Sequence, residues 1–293
     1  MRQKGPRPAG NGGGRLRVAY LGPEGTFTEE ALLASPGADR FDPVAEPTVY
    51  DCVMAVDTSR VDRAIVPIEN SLEGSVNATL DALVFQTDKV EIVGEAIHPI
   101  QHCLIARRPL ALDRIERVVS HPQANAQCAA FIRRELPSAT VISTNSTADA
   151  VRLVAETEEP WAALGNRLAA RLYGCEILKA GVEDVPENET RFVWLSCNRE
   201  TGRESPGSRK TSVVFWGLPD VPGALVRVLQ TFADRDVNLS KIESRPLKQR
   251  LGRYIFFADL EGHEHDEAVV DALDSVRRQV ETLRVLGSYP AAT

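Results

Sequence analysis

Short apolar runs alternate with helix-forming segments along most of the chain, and this alternation constrains the fold more than any other feature. Runs such as 15–21, 63–67 and 117–120 have the length and the β-branched content of buried strands. A helical pattern follows each of them. Strands that alternate with helices predict an α/β domain. Two long extended segments, at 90–99 and 101–106, suggest a chain that passes between two lobes.

The pattern changes after a polar, glycine- and serine-rich stretch. A strand–helix–strand–strand–helix–strand order follows, with strands at 211–217, 239–246, 253–260 and 283–286, helices at 223–233 and 266–280, and a turn at 248–252. This order is ferredoxin-like, and its sheet edge favours pairing with a second copy. The predicted division is a disordered tail at 1–14, a two-lobed α/β domain at 15–197, a linker at 198–209 and a ferredoxin-like domain at 210–290.

Length and charge exclude several classes of protein. With 293 residues, 43% of them hydrophobic, the chain can bury a sizeable core in about two domains. A net charge of -7 without a basic cluster argues against a nucleic-acid partner, although a helix N-terminus can still bind an anion. No apolar run reaches the ~20 residues of a membrane span, and the N-terminus lacks the apolar core of a signal peptide. A cytoplasmic protein is therefore expected.

The cysteines and histidines give no sign of a metal site. The five cysteines form no CxxC pair, which favours reduced thiols in the cytoplasm over a disulfide framework. The five histidines show no metal-binding spacing supported by cysteines or carboxylates. The sequence therefore predicts neither a metal nor a cofactor.

Polar turns follow two of the predicted strands. GPEGTFT (22–28) joins a strand to a helix, and IENSLEGSV (68–76) does the same. Ligands of open α/β sheets bind at the carboxyl ends of strands, and a helix N-terminus supplies free backbone N–H groups to an anion. Each turn also has a purely structural explanation as a helix cap or an Asn-Ser turn.

Three further polar strings occupy similar positions. HPQ (121–123) and NST (145–147) each begin a predicted helix, the first of them running from Pro122 to about Glu135, and NETRF (188–192) begins a predicted strand. The hydroxyl, guanidinium and aromatic ring of Thr190, Arg191 and Phe192 suit a ring-shaped anionic substrate that carries its own hydroxyl. Taken alone, these strings are also explained as helix caps and an ordinary strand opening.

Six strings in order carry a family resemblance: GPEGTFTEEA (22–31), VPIENSLEGSV (66–76), HPQANAQC (121–128), STADA (146–150), ALGNRLAARLYG (163–174) and NETRF (188–192). With them the chain closely resembles the monofunctional prephenate dehydratases over about residues 16–290. GALV at 223–226 and ESRP at 243–246 resemble an ACT regulatory domain that senses phenylalanine. The resemblance implies two α/β lobes similar to periplasmic binding proteins, an active site in the cleft and no fused chorismate mutase.

The resemblance also implies the chemistry. Prephenate loses carbon dioxide and water to give phenylpyruvate in L-phenylalanine biosynthesis, and the formation of an aromatic ring removes the need for a cofactor. Thr190 is implied as the critical hydroxyl, which hydrogen-bonds the departing hydroxyl and is too weak an acid to ionise. Arg191 is expected to bind a carboxylate bidentately. The implied substrate contacts are Thr26, Asn70, Ser71, His121, Gln123, Ser146, Thr147, Arg191 and Phe192.

Regulation by L-phenylalanine is implied in the same way. The effector is expected between Gly223, Ala224, Leu225 and Val226 of one ACT domain and Glu243, Ser244, Arg245 and Pro246 of a paired one, in a homodimer or homotetramer. Two alternatives stay open: an arogenate dehydratase, and a non-catalytic amino-acid sensor or solute-binding protein on the same fold. A carboxylate beside the substrate side chain would favour arogenate, because arogenate carries an ammonium group there.

Overall fold

The computed structural model describes residues 15–198, 208–247 and 252–292, and within them the chain forms three β-sheets. The tail predicted over 1–14 lies outside the described residues. So do most of the linker predicted over 198–209 and most of the turn predicted over 248–252.

The first sheet forms the first lobe. Its strands are β1 (Leu16–Leu21), β2 (Phe41–Glu46), β3 (Arg63–Asn70), β4 (Gly74–Ser75), β5 (Glu91–Pro99) and β11 (Glu189–Ser196), and its helices are α1 (Phe27–Ala34), α2 (Val49–Asp57) and α3 (Asn77–Phe85). The strand order is β2-β1-β3-β11-β5, with β4 paired to β3. Strand β11 lies antiparallel between β3 and β5, so the chain returns to this lobe after building the second one.

The second sheet forms the second lobe. Its strands are β6 (Cys103–Ala106), β7 (Arg117–Ser120), β8 (Thr140–Ser143), β9 (Trp161–Gly165) and β10 (Glu176–Ala180), and its helices are α4 (Pro122–Gln127), α5 (Ala129–Glu135), α6 (Thr147–Glu156) and α7 (Arg167–Leu172). The strand order is β10-β6-β9-β7-β8. The segment between β5 and β6 and the segment between β10 and β11 are the two connections between the lobes.

The third sheet forms the C-terminal domain. Its strands are β12 (Arg209–Trp216), β13 (Leu239–Pro246), β14 (Tyr254–Glu261) and β15 (Thr282–Pro290), and its helices are α8 (Ala224–Ala233) and α9 (Glu267–Arg277). The order β13-β14-β12-β15 is that of a ferredoxin-like fold. The predicted fold class, two α/β lobes followed by a ferredoxin-like domain, is confirmed.

Two elements differ from the prediction. The single helix predicted from Pro122 to Glu135 is broken at Cys128, which has φ −114° and ψ 16°. The carboxylate of Asp184 accepts hydrogen bonds from the backbone N–H groups of Ala130 (2.7 Å) and Phe131 (3.0 Å), and so caps the start of α5. A cap supplied from more than fifty residues away is invisible to local sequence patterns. Strand β15 is also longer than the strand predicted at 283–286, because residues 287–290 continue to pair with β12.

The third sheet packs directly on the first lobe. Leu80 and Leu83 of α3 share one buried apolar cluster with Phe257 of β14 and Leu286 of β15. Beside this cluster, a Cβ atom at Gly287 would lie 2.1 Å from the carbonyl oxygen of Ile92, so only glycine allows β15 to approach β5 this closely. The C-terminal domain therefore rests on the sheet that contains β11.

Candidate active site

A cavity of about 400 Å³ lies between the two lobes. Eight of the ten side chains predicted to act on the substrate line it: Thr26, Asn70, His121, Gln123, Ser146, Thr147, Thr190 and Phe192. They come from turns and element ends that are far apart in the sequence. The strand ends of both sheets therefore converge on one site, as the α/β pattern predicts.

Four helices begin at this cavity. The N-cap residues of α1, α3, α4 and α6 are Thr26, Val76, His121 and Ser146, and all four line it. Because the first backbone N–H groups of a helix have no partner within the helix, its N-terminus carries partial positive charge. Helices of both lobes thus direct their positive ends at the space between the lobes.

Three of these N-caps also show why the sequence favours helix starts here. The hydroxyl of Ser146 accepts a hydrogen bond from the backbone N–H of Asp149 at 2.9 Å. The Nδ1 atom of His121 accepts one from the N–H of Gln123 at 3.3 Å. The hydroxyl of Thr26 accepts a weaker one from the N–H of Glu29 at 3.4 Å and donates to the carbonyl of Leu21 at 2.9 Å. The capping explanation for these residues is therefore correct, and it coexists with their place at the cavity.

Thr190 is 7% exposed, and it lies at the start of β11. Its Oγ1 atom lies 2.9 Å from the amide nitrogen of Asn70, across the β3–β11 pair. The amide oxygen of Asn70 accepts hydrogen bonds from the backbone N–H groups of Leu72 and Glu73, both at 3.0 Å. A backbone N–H can only donate, so the Asn70 amide has one possible orientation, with its nitrogen toward Thr190.

This orientation decides what the Thr190 hydroxyl can do. Because Asn70 donates to Oγ1, the hydroxyl hydrogen of Thr190 remains available, and no side-chain hydrogen bond among the described residues uses it. Thr190 lines the cavity, so a substrate oxygen there can receive this hydrogen.

Arg191 lies elsewhere. Successive side chains of a strand point to opposite faces, so Thr190 and Phe192 face the cavity and Arg191 faces the C-terminal domain. Its guanidinium forms ion pairs with Asp259 (2.7 Å), Glu95 (3.1 Å) and Glu69 (3.3 Å). The expected bidentate contact with a substrate carboxylate is therefore not available at this position.

Burial opposes the charge on Arg191. The nearby Asp259, Tyr289 and Glu95 outweigh that effect, and they raise the pKa of the guanidinium above its ordinary value. The side chain thus remains charged inside a network that joins two domains, and its role in this structure is to hold them together.

Ser71 also lies outside the cavity lining. Its hydroxyl donates to the Oδ1 atom of Asn188 at 3.2 Å and accepts from the backbone N–H of Glu189 at 3.0 Å. It therefore braces the residues that precede Thr190, and the structure shows no cavity-facing role for it.

Several polar side chains of the cavity were not predicted: Thr28, His102, Gln127 and Asn145. Gln127 had a usable signal, because it lies four residues after Gln123 and so on the same face of one helix. Asn145 directly precedes the predicted cap Ser146. His102 had no local signal, since it lies in a connection between the lobes.

Among the described residues, no Lys, Arg, Asp or Glu side chain lines the cavity. An anionic ligand would therefore meet backbone N–H groups at helix N-termini together with hydroxyl, amide and imidazole donors. The apolar part of the wall includes Phe27, Phe192 and Pro67.

The strings predicted to bind phenylalanine lie in two separate places of the C-terminal domain. Ala224 and Leu225 line a cavity of about 660 Å³ at the start of α8. Glu243 contacts Ser75 of the first lobe, and Arg245 forms an ion pair with Asp81 at 2.6 Å. Ser244 and Pro246 alternate with them and so lie on the opposite face of the edge strand β13.

The described residues were also compared with the requirements of a membrane-spanning helix and of a metal site. Within them, no helix combines the length and the apolar composition that a membrane crossing needs. In the same ranges, no group of three or more His, Cys, Asp or Glu side chains is placed to share a metal ion.

Comparison with known proteins gives matches over nearly the whole chain. The family model of prephenate dehydratase matches residues 18–200, and that of the ACT domain matches residues 211–278. A bifunctional chorismate mutase/prephenate dehydratase of Aquifex aeolicus is 40% identical over 95% of this chain and 74% of its own length. A prephenate dehydratase of Mycobacterium sp. (strain JLS) is 39% identical over 94% of this chain and 90% of its own length.

A solved structure agrees with these matches. The crystal structure of a prephenate dehydratase from Arthrobacter aurescens in complex with L-Phe has a TM-score of 0.85 and 40% sequence identity. It covers 94% of this chain and 90% of its own.

Proposed function

The chain belongs to the prephenate dehydratase family, and from this membership we propose how its cleft carries out the family's reaction. It is a decarboxylating hydro-lyase that converts prephenate to phenylpyruvate, carbon dioxide and water in the biosynthesis of L-phenylalanine. The observation that carries the proposed mechanism is the hydrogen bond from Asn70 to Thr190.

The reaction breaks two bonds and consumes one proton. The bond between the ring and its carboxylate breaks, and carbon dioxide leaves. The electron pair of that bond moves into the ring, and the bond between the ring and the para hydroxyl breaks. The departing hydroxide takes up a proton and becomes water. Because the product ring is aromatic, the elimination is driven without an electron sink, and the protein has to stabilise the leaving oxygen.

Thr190 provides that stabilisation in our proposal. Its hydroxyl hydrogen is left free by the fixed orientation of the Asn70 amide. It donates a hydrogen bond to the para oxygen, and this bond strengthens as negative charge develops there. Threonine stays un-ionised throughout, because its hydroxyl is far too weak an acid to lose a proton near neutral pH.

Helix N-termini bind the two carboxylates of the substrate in our proposal. The cavity has no cationic side chain among the described residues, and α1 of the first lobe and α6 of the second begin at it. Neutral donors suit the ring carboxylate in particular, because this group must lose its charge as carbon dioxide forms. A tight arginine clamp on it would stabilise the ground state instead.

The lining also favours prephenate over arogenate. Arogenate carries an ammonium group where prephenate carries a keto oxygen, and no Asp or Glu among the described residues lines the cavity to receive it. The hydroxyl and amide donors at the cavity suit a keto oxygen.

Phenylalanine is proposed as the allosteric inhibitor. The relative from Arthrobacter aurescens was solved with L-Phe, and this chain contains an ACT domain. Ala224 and Leu225 line a cavity at the start of α8, where the carboxylate of an amino acid would meet a helix N-terminus. Feedback then requires two states of the enzyme with different affinities for phenylalanine.

We also propose the assembly, the location and the domain limits. Strand β13 is an edge strand, so its exposed side fits a homodimer or homotetramer formed through paired ACT domains. The expected location is the cytoplasm. The proposed units are residues 15–197 for catalysis and 210–290 for regulation.

The test is turnover of prephenate and of arogenate by the purified protein, with and without phenylalanine. Phenylpyruvate formation that phenylalanine suppresses is the expected result. Turnover of arogenate alone would overturn the proposed substrate preference. Binding of phenylalanine without turnover of either compound would show a sensor on the same fold.

A further inference from the structure

A chain of side-chain hydrogen bonds leads away from Thr190 and crosses between the lobes. The Nδ2 atom of Asn70 lies 2.8 Å from the Oδ1 atom of Asn188. The Nδ2 atom of Asn188 lies 3.3 Å from the Oε1 atom of Gln127, and this oxygen lies 3.1 Å from the Nε2 atom of His102. Asn70 and Thr190 belong to the first lobe and Gln127 to the second, while Asn188 and His102 lie in the two connections.

The Asn70 amide has a fixed orientation, and this determines which atom donates and which accepts in each hydrogen bond of the series. The backbone N–H groups of Leu72 and Glu73 hold the Oδ1 atom of Asn70, so its Nδ2 atom faces acceptors. The two hydrogens of Nδ2 are shared among Oδ1 of Asn188 (2.8 Å), Oγ1 of Thr190 (2.9 Å) and the carbonyl oxygen of Glu189 (3.1 Å). Asn188 therefore presents its oxygen to Asn70 and its nitrogen to Gln127.

Gln127 must in turn accept at its oxygen, and that oxygen can also accept from His102. Its own nitrogen faces the carboxylate of Glu73 at 3.2 Å, and because a carboxylate only accepts, this contact requires the same orientation. The Nε2 atom of His102 consequently has to carry a hydrogen.

The surroundings of His102 favour a neutral ring. The side chain is 2% exposed, and the ring of Phe27 meets it edge-on with the centroids 5.2 Å apart. Burial lowers the pKa of His102 below its ordinary value, although Gln127 and Glu183 oppose this shift. The Nδ1 atom has no hydrogen-bond partner among the described residues, so nothing there holds a second hydrogen.

We propose that His102 is a positioning residue for the reaction, held as the neutral Nε2–H tautomer, and that Asn188 and Gln127 connect it to the Asn70–Thr190 pair. Its donated hydrogen helps, together with Glu73, to hold Gln127 in place, Gln127 helps to hold Asn188, and Asn188 helps to hold Asn70 against Thr190. This series of hydrogen bonds also spans both lobes, so the position of the Asn70 donor beside Thr190 depends on how the lobes are joined. The inference rests on the proposed role of Thr190.

One test reads the tautomer directly. In ¹⁵N NMR spectra of protein with labelled histidine, the His102 signals, assigned by their loss in His102→Gln, should show a protonated Nε2 and an unprotonated Nδ1 between about pH 7.5 and pH 8.5. A hydrogen on Nδ1, or a charged ring in this range, would overturn the proposal. This measurement needs no turnover, so its failure is distinguishable from a failure of the proposed function.

The second test separates positioning from simple packing. His102→Leu removes the donor, and kcat for prephenate should fall roughly tenfold with KM nearly unchanged. In His102→Gln the amide nitrogen occupies the place of Nε2, so most of kcat should return. In His102→Asn the amide nitrogen reaches only the place of Nδ1, so kcat should stay low. Full kcat in a folded His102→Leu protein, or equal kcat in the Gln and Asn variants, would overturn the proposal.

Discussion

The guanidinium of Arg191 and the carboxylate of Asp259 lie 2.7 Å apart, and they join strand β11 of the first lobe to strand β14 of the ACT domain. Thr190, the residue proposed to act on the leaving hydroxyl, directly precedes Arg191 in the same strand. The strand that presents the reactive hydroxyl to the cleft is therefore anchored from behind by the regulatory domain.

The first prediction concerns this anchor. Arg191→Leu leaves the buried carboxylate of Asp259 without its arginine, whereas Glu95 keeps its ion pair with Lys210 at 2.8 Å, so the free energy of unfolding should fall by about 3–5 kcal/mol. Urea unfolding of the purified variants measures the change. Arg277→Ala is the matched control, because it breaks an exposed pair with Asp274 and should cost less than about 1 kcal/mol. Equal losses in the two variants would contradict the anchoring role.

The second prediction tests the orientation of the Asn70 amide. Asn70→Asp keeps an oxygen for the backbone N–H groups but turns the donor toward Thr190 into an acceptor. The Thr190 hydroxyl then donates to the carboxylate and not to the substrate, so kcat should fall by about 10²-fold.

Asn238→Asp is the control for this second prediction. It makes the same change of amide to carboxylate in the C-terminal domain, where the Asn238 amide donates to the exposed Glu261 at 2.9 Å, and kcat should stay within about twofold of normal. Steady-state kinetics with prephenate gives both numbers. An Asn70→Asp enzyme with normal kcat would show that the direction of this hydrogen bond is irrelevant to turnover.

The third prediction concerns regulation. Gly223 precedes α8 with φ +79°, a conformation that costs a residue with a side chain about 1–2 kcal/mol. Gly223→Ala should therefore distort the turn at the proposed effector site and weaken the inhibition of prephenate turnover by phenylalanine. Gly174→Ala is the matched control, because Gly174 has φ +66° in the second lobe and open space around it. An equal loss of inhibition in both variants would count against an effector site at Gly223.

The fourth prediction concerns alkaline pH. Cys52 is fully buried, and burial, followed by Glu46 and Asp51, raises the pKa of its thiol to about 12. The folded state thus holds this proton to higher pH than the unfolded state does. The thiol contributes fully to stability below its unfolded pKa of about 8.5–9, and the contribution is lost as the pH rises toward 12.

Comparison with Cys52→Ala measures this contribution. Between about pH 9 and pH 12, the free energy of unfolding should fall more steeply in the unaltered protein, by up to about 1.4 kcal/mol per pH unit. Parallel pH profiles of the two proteins would show that the Cys52 thiol does not change its pKa on folding.

Much of the fold and of the cleft can be predicted from short stretches of the sequence. The polar turns at strand ends, the caps such as Ser146 and the start of β11 are all visible in short stretches, and the structure brings them together at one cavity. The strand–helix alternation determines this outcome, because it places the carboxyl ends of strands at a common edge.

The sequence already contained information about where the Arg191 side chain points. Two consecutive residues of a strand point to opposite faces, so Thr190 and Arg191 could not both face the cleft. Which of them does so is set by the packing of β11 between β3 and β5 and by the ACT sheet behind it, and these are tertiary contacts. The hydrogen-bond chain to His102 has the same origin, since its members come from four separate parts of the sequence.

The most direct test of the account is the rate of phenylpyruvate formation by Thr190→Val beside Thr190→Ser. Valine keeps the shape of threonine and removes only its hydroxyl, whereas serine keeps the hydroxyl. We expect kcat to fall by about 10²–10³-fold in the valine variant, with folding preserved, and the serine variant to retain much of it. A valine variant that turns over prephenate at nearly the normal rate would contradict the central claim that the Thr190 hydroxyl assists departure of the leaving oxygen.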